Sequence, residues 1–140
     1  MSGTFDLEIM TPQRQFYRGS IEALSVTTVD GEMTFLRNHA PISVPLTIGS
    51  IKIKHHGQWK VAFQSEGFVE IKDNLARVFV QSCEWPEDID PARALAAEQR
   101  ALERLQNSKN LSEYQWTQVA LNRALTRLRI IGNKGKNYWR

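Results

Sequence analysis

At 140 residues, 41% hydrophobic and 24% charged, the chain suits one domain or a small domain with an appendage, not two separate cores. A single cysteine excludes a disulfide framework, no run nears the roughly 20 apolar residues that span a bilayer, and the N-terminus lacks a signal peptide's basic and apolar regions. Charge divides the chain, since residues 1–90 carry a net −4 and residues 91–140 a net +7.

These features predict a protein of a reducing compartment, soluble or peripheral, with no direct bilayer insertion. Up to about residue 82 the chain reads as short strands separated by turn signals. Phe5, Leu7 and Ile9 alternate with Asp6 and Glu8, the period of a half-buried strand, and Thr11-Pro12 stops the run. Ile21–Val26 reads as a strand, and Asp30-Gly31 as a tight turn before Met33 and Phe35. Pro41 and Pro45 interrupt the chain. Ile51 and Ile53 alternate with lysines, His55-His-Gly-Gln58 reads as a hairpin connection, and Trp59, Val61 and Phe63 follow. A last hairpin joins Phe68–Ile71 to Ala76–Val80 through Lys72-Asp-Asn74. Many short antiparallel strands at this spacing imply a sandwich or flattened barrel.

The period changes after Trp85-Pro86. Asp90 suits an N-cap and Pro91 the first helical position, where a missing N–H costs nothing. Ala94, Ala97, Ala101 and Leu105 recur at helical spacing, and Asn107–Asn110 reads as a turn. Ser112-Glu-Tyr-Gln115 has the form of a capping box for a second helix. Its apolar stripe is Trp116, Val119, Ala120, Ala124 and Leu128, with Gly132 as terminator and Asn133–Arg140 as a frayed basic tail. The fold class predicted is therefore α+β in two parts: an antiparallel β-sandwich over residues 1–86 and an antiparallel two-helix hairpin over 87–140. An alanine-rich helix face buries little area per residue, so the hairpin is weakly held and can come off its neighbour.

Catalytic patterns are missing: there is no phosphate loop, no GxSxG and no helical HExxH. Cys83 sits at a strand end outside any nucleophile motif, and His55 and His56 lack a nearby third ligand. No catalytic or metal-binding residue is assigned. His39 lies in a proline-bearing loop of a type that serves interfaces, and it stays open between interface and simple loop. The basic half stays open too, between a solvated surface and a surface for an acidic protein, an anionic ligand or nucleic acid. Arg93 and Arg100 are two helical turns apart, and Arg123 and Arg127 one turn apart, so each pair shares a helix face. In an antiparallel hairpin the two pairs can meet. Four guanidinium groups so placed repel one another unless an anion such as a triphosphate fills the gap.

Four segments carry a family likeness. Val29-Asp-Gly-Glu-Met-Thr-Phe-Leu-Arg-Asn-His-Ala-Pro41 resembles the G-E-x-G-x-L-P-x-H-A-P region of the epsilon subunit of bacterial F-type ATP synthases. Ser65-Glu-Gly-Phe-Val-Glu70 is similar to that family's S-G-G-F-x-E, and Glu87–Ala94 to its E-D-I-D-x-x-R-A linker. Ala120–Leu128 is similar to its A-L-x-R-A-x-x-R-L run. Thr34, Arg37 and Glu66 depart from the pattern, Glu66 in place of a glycine.

The resemblance implies a sandwich seated on the gamma subunit and the membrane ring of c subunits, peripheral at the cytoplasmic face of a bacterial plasma membrane. It implies a non-catalytic role in coupling proton-driven rotation to ATP synthesis. It also implies a hairpin that folds down on the sandwich or extends into the catalytic alpha/beta assembly, where it blocks ATP hydrolysis. By position it assigns ATP, a regulatory ligand and not a required cofactor, to Glu84, Ile89, Asp90, Arg93, Ala94, Arg100, Arg123 and Arg127. It places Asp30, Glu32 and His39 at the interface with gamma or the ring. Two rivals stand beside this reading. One is a nucleic-acid-binding module built on the basic hairpin with Trp116, Tyr138 and Trp139; the other is a small hydrolase using Cys83 or the histidines.

Overall fold

A computed structural model describes residues 3–132, so the tail read over Asn133–Arg140 lies outside the described residues. In chain order the strands are β1 (Phe5–Met10), β2 (Gln15–Ile21), β3 (Ala23–Thr28), β4 (Gly31–Phe35), β5 (Ile42–Leu46), β6 (Gly49–His55), β7 (Gln58–Gln64), β8 (Gly67–Lys72), β9 (Leu75–Val80) and β10 (Cys83–Glu84). A 3-10 turn, Pro86–Asp88, leads to α1 (Pro91–Gln106) and α2 (Leu111–Gly132).

The strands form two five-stranded sheets, ordered β2-β1-β9-β8-β5 and β10-β7-β6-β3-β4, and these pack face to face as a sandwich. Between them lie Phe5, Leu7 and Ile9 of β1, Ile51 and Ile53 of β6, and Val69, Ile71, Val78 and Val80 of β8 and β9. The alternation that marks β1 and β6 in the sequence is the alternation of this core. Two turns are two-residue connections with both φ angles positive: His56 and Gly57 at 52° and 74°, Asp73 and Asn74 at 54° and 60°. That geometry matches the twist of the strands it joins.

Several details differ from the sequence reading. β1 pairs with β9 in parallel, Asp6 opposite Leu75 through Met10 opposite Phe79, so the first sheet is mixed. The strand read over Ile21–Val26 is split at Glu22, where the chain leaves one sheet for the other. Pro45 lies inside β5, which is tolerated because β5 is an edge strand and needs ladder bonds on one side only. In β7 the alternation fails at the C-terminal end, because both faces are covered: Ala62 joins the sandwich core while Phe63 joins a second cluster beneath the helices.

Asp90 caps α1, its side chain accepting from the Arg93 N–H at 3.2 Å, with Pro91 in the first turn. Asn110, not Ser112, caps α2: its Oδ1 accepts from the Glu113 N–H at 2.8 Å. Asn110-Leu-Ser-Glu113 is itself a cap followed three residues on by an acid, and this earlier start wins. The buried positions of α2 are Thr117, Ala124, Thr126 and Ile130, while Trp116 is 74% exposed. The predicted stripe is thus rotated near the hairpin tip, where residues 106–116 are nearly all exposed. Along α1 only Ala94 and Ala101 are buried. The hairpin lies along the outer face of β6 and β7, held by Ile130 against Phe63, Ile89 and Ala94, with Ile48, Leu128 and Ile131 around them.

Candidate nucleotide site at the hairpin base

The linker and the first turns of α1 wall a cavity of about 380 Å³, within the range of small-molecule sites. Ala94 and Ala97 form its low floor on α1, and Arg93 and Arg100 flank them on the same face. Ile89 and Asp90 come from the linker, Glu84 from the end of the sandwich, and Arg127 from α2. Of the eight residues assigned by position, seven line this cavity: Glu84, Ile89, Asp90, Arg93, Ala94, Arg100 and Arg127. Asp88, which the sequence reading did not single out, lines it as well.

Arg123 is not among the lining residues. Its Nη2 instead donates to Glu66 Oε2 at 2.7 Å. Arg127 is held still more firmly: Nε and Nη2 donate to the two Glu84 carboxylate oxygens at 2.8 and 3.0 Å, and the guanidinium carbon sits 4.4 Å from the Phe63 ring centroid. That bidentate, stacked arrangement is the strong form of an arginine contact. The four guanidinium groups therefore do not form one repelling cluster. Two are neutralised by carboxylates of the sandwich, and Arg93 and Arg100 are exposed with no ion-pair partner among the described residues. A bound anion would find those two ready at the N-terminal half of α1, whose helix dipole also favours negative charge.

Glu66 and Phe63 are the contributors that residue patterns missed. Glu66 stood out only as a departure from a glycine, and Phe63 only as the last residue of the run Trp59, Val61 and Phe63. Burial opposes ionisation of Glu66, but the Arg123 hydrogen bond, the Glu66 backbone N–H and the Arg123 charge outweigh it and hold the carboxyl below its usual range.

The three residues assigned to an interface are not gathered at one point. Asp30 lies in the turn before β4, Glu32 on β4 itself, paired with Lys52, and His39 beyond the far end of that edge strand. The His39 ring meets Phe35 edge-on at 5.1 Å, and its Nδ1 is 2.6 Å from the Ala40 carbonyl oxygen. The neighbouring Asn38 exchanges hydrogen bonds with Asn74, tying this loop to the β8–β9 turn.

The hydrolase reading loses its nucleophile. Cys83 is 4% exposed, and burial, then the Glu84 charge, push its thiol up to about 12, so no thiolate forms near neutral pH. His55 and His56 meet each other in the β6–β7 turn, ring centroids 4.0 Å apart and planes tilted by 54°. The nucleic-acid reading loses two of its cations to Glu66 and Glu84, and Tyr138 and Trp139 lie outside the described residues.

Two family models match the chain, one after the other, over residues 4–132. ATP synthase delta/epsilon chain, beta-sandwich domain, covers residues 4–86, and ATP synthase delta/epsilon chain, long alpha-helix domain, covers residues 87–132. The chain belongs to the epsilon-chain family of ATP synthases. It is 45% identical over 131 residues to the ATP synthase epsilon chain of Caldanaerobacter subterraneus subsp. tengcongensis, covering 93% of this chain and 95% of that one. It is 41% identical over 126 residues to that of Caldicellulosiruptor bescii, covering 90% and 92%. In fold it is similar to a chain of the Euglena gracilis mitochondrial ATP synthase OSCP/F1/c-ring structure, with a TM-score of 0.78 at 19% identity over 90% of this chain and 80% of that one. The sandwich and the two helices are thus the two parts of an ATP synthase epsilon subunit, a member of a larger complex and not its catalytic subunit.

Proposed function

We infer that this epsilon subunit is a nucleotide-sensing brake on its complex. The sandwich sits on the gamma subunit and the c ring in the central stalk, at the cytoplasmic face of a bacterial plasma membrane, and serves proton-coupled ATP synthesis. The hairpin closes on the sandwich when ATP is bound and, when ATP is scarce, extends into the alpha/beta assembly and blocks hydrolysis. The observation that carries the sensing part is the cavity in which Arg93 and Arg100, without an ion-pair partner among the described residues, stand beside a small-residue floor. Planar guanidinium forks suit phosphate oxygens, and Glu84, Asp88 and Asp90 offer acceptors to a base with an exocyclic amine.

The mobile part is supported by how little holds the hairpin down among the described residues: one small apolar cluster and two ion pairs. A ligand that bridges linker, α1 and α2 exists only in the closed form, and so shifts the equilibrium toward it. Isothermal calorimetry of the full chain with ATP tests this. One ATP binds per chain, and Arg93→Ala or Arg100→Ala each weakens it by roughly tenfold or more, as for loss of a charge-assisted bond. Arg123→Ala weakens it less, because Arg123 is engaged by Glu66. No heat at millimolar ATP, or equal affinity in the Arg93 and Arg100 variants, overturns the sensor.

A further inference from the structure

We propose that Glu66 is a built-in clasp that takes Arg123 as an internal counter-ion and holds the hairpin closed with no ligand bound. The proposal rests on the moving hairpin of the preceding section and adds a ligand-independent term to it.

The base of the clasp is rigid. Ser65, only 1% exposed, donates its N–H to the Ser82 carbonyl at 3.1 Å and accepts from the Ser82 N–H at 2.7 Å on its Oγ. The Glu66 carbonyl accepts from the Gln81 N–H at 3.1 Å, and Gly67 packs directly on the Phe79 backbone. The Glu66 backbone is therefore fixed where the chain passes from one sheet to the other, and only its side chain is ordered on closing. A counter-ion projecting from a fixed base loses less entropy on pairing than one on a flexible loop.

The pair is also built to open. Its side chains are 35% and 40% exposed, so water competes for both ions. Glu66 Oε2 takes the Arg123 Nη2, but Glu66 Oε1 is buried with no donor among the described residues, a cost present only in the closed form. Arg127, doubly bonded to Glu84 and stacked on Phe63, is the stronger anchor one helical turn away. Arg127 and the Ile130 cluster both hold the C-terminal part of α2, leaving the stretch toward the hairpin tip without an anchor on the sandwich. Glu66 supplies that anchor through Arg123, so the closed helix has one orientation. The clasp also keeps Arg123 away from the cavity, leaving a ligand to Arg93 and Arg100.

The test is the distance between sandwich and hairpin in the nucleotide-free full chain, by electron–electron double resonance. Spin labels are placed at Gln58→Cys and Lys109→Cys, both exposed, while the buried Cys83 stays unlabelled. The isolated parent chain, away from the alpha/beta surface that captures the extended hairpin in the complex, shows mainly the closed distance. Glu66→Gln, Glu66→Gly and Arg123→Gln each raise the ratio of open to closed chains roughly three- to tenfold, and the double variant Glu66→Gln with Arg123→Gln adds nothing further. The charge swap Glu66→Arg with Arg123→Glu restores closure, which a merely steric role would not. A ratio that Arg127→Gln raises but the Glu66 variants leave alone overturns the clasp and leaves the moving hairpin standing. A hairpin that stays closed in every variant overturns both.

Discussion

Removing residues 88–140 raises ATP hydrolysis by the assembled complex. The deleted part is the basic half of the chain, and it includes the exposed Leu111, Tyr114 and Trp116 at the hairpin tip, the surface that meets the catalytic subunits when the hairpin extends. If nine complexes in ten are blocked at low ATP, deletion releases them all and the rate rises about tenfold; a smaller blocked fraction gives a proportionally smaller rise. The measurement belongs on the complex, because deletion also uncovers Phe63 and Ile48 on the outer face of the sandwich. The gain shrinks as ATP is raised, since ATP has already closed the hairpin in the intact subunit. A truncated complex that hydrolyses ATP no faster than the intact one at any ATP level rejects the brake.

Gly67→Ala costs the sandwich on the order of 3 kcal/mol, the upper end for overpacking, and lowers its melting temperature by roughly 10 °C. A Cβ at this position would collide with the Phe79 carbonyl oxygen and lie 2.7 Å from the Val80 Cα. Both are backbone atoms of β9, so no side chain can rotate away. β8 and β9 must separate around the Gly67–Val80 pair, and the same residue also pairs with Leu46 of β5. Gly57→Asn is the control: its φ of 74° suits asparagine, and a Cβ there meets nothing within 4 Å. Circular-dichroism melts read both. A Gly67→Ala chain that melts within about 2 °C of the parent contradicts the packing described.

The two glycine positions of the Ser65–Glu70 segment show what a sequence discloses. Gly67 is retained because sterics leave no alternative, whereas Glu66 occupies a site with room for a side chain and uses it. Local order was legible where one face is buried or a cap is strong. Phe5, Leu7 and Ile9 reveal β1 because a single face is buried, and Asp90-Pro91 reveals the start of α1 because the cap is a local bond. What escaped was either covered on both sides or remote in sequence. Phe63 broke the period because helices lie over it, and the parallel β1–β9 pair has no turn to announce it. β2 escaped for another reason: as an edge strand it buries only its Phe16 and Ile21 positions and shows little pattern.

The candidate site divides the same way. Helical spacing placed Arg93 with Arg100, and Arg123 with Arg127, correctly along their helices. It could not show that the acids answering Arg123 and Arg127 come from 57 and 43 residues upstream. Those acids turn a supposed cluster of four equal cations into two anchored and two presented. The arithmetic of anion binding changes accordingly.

ATP binding and hairpin closure are linked, and the distance between Gln58→Cys and Lys109→Cys labels in the full chain, with and without ATP, reads that linkage. ATP moves chains from the open to the closed distance, most visibly in the Glu66→Gln background where the clasp is gone. Arg100→Ala shifts that movement to roughly tenfold higher ATP or more. A distance distribution that ATP leaves unchanged in the Glu66→Gln chain contradicts the account.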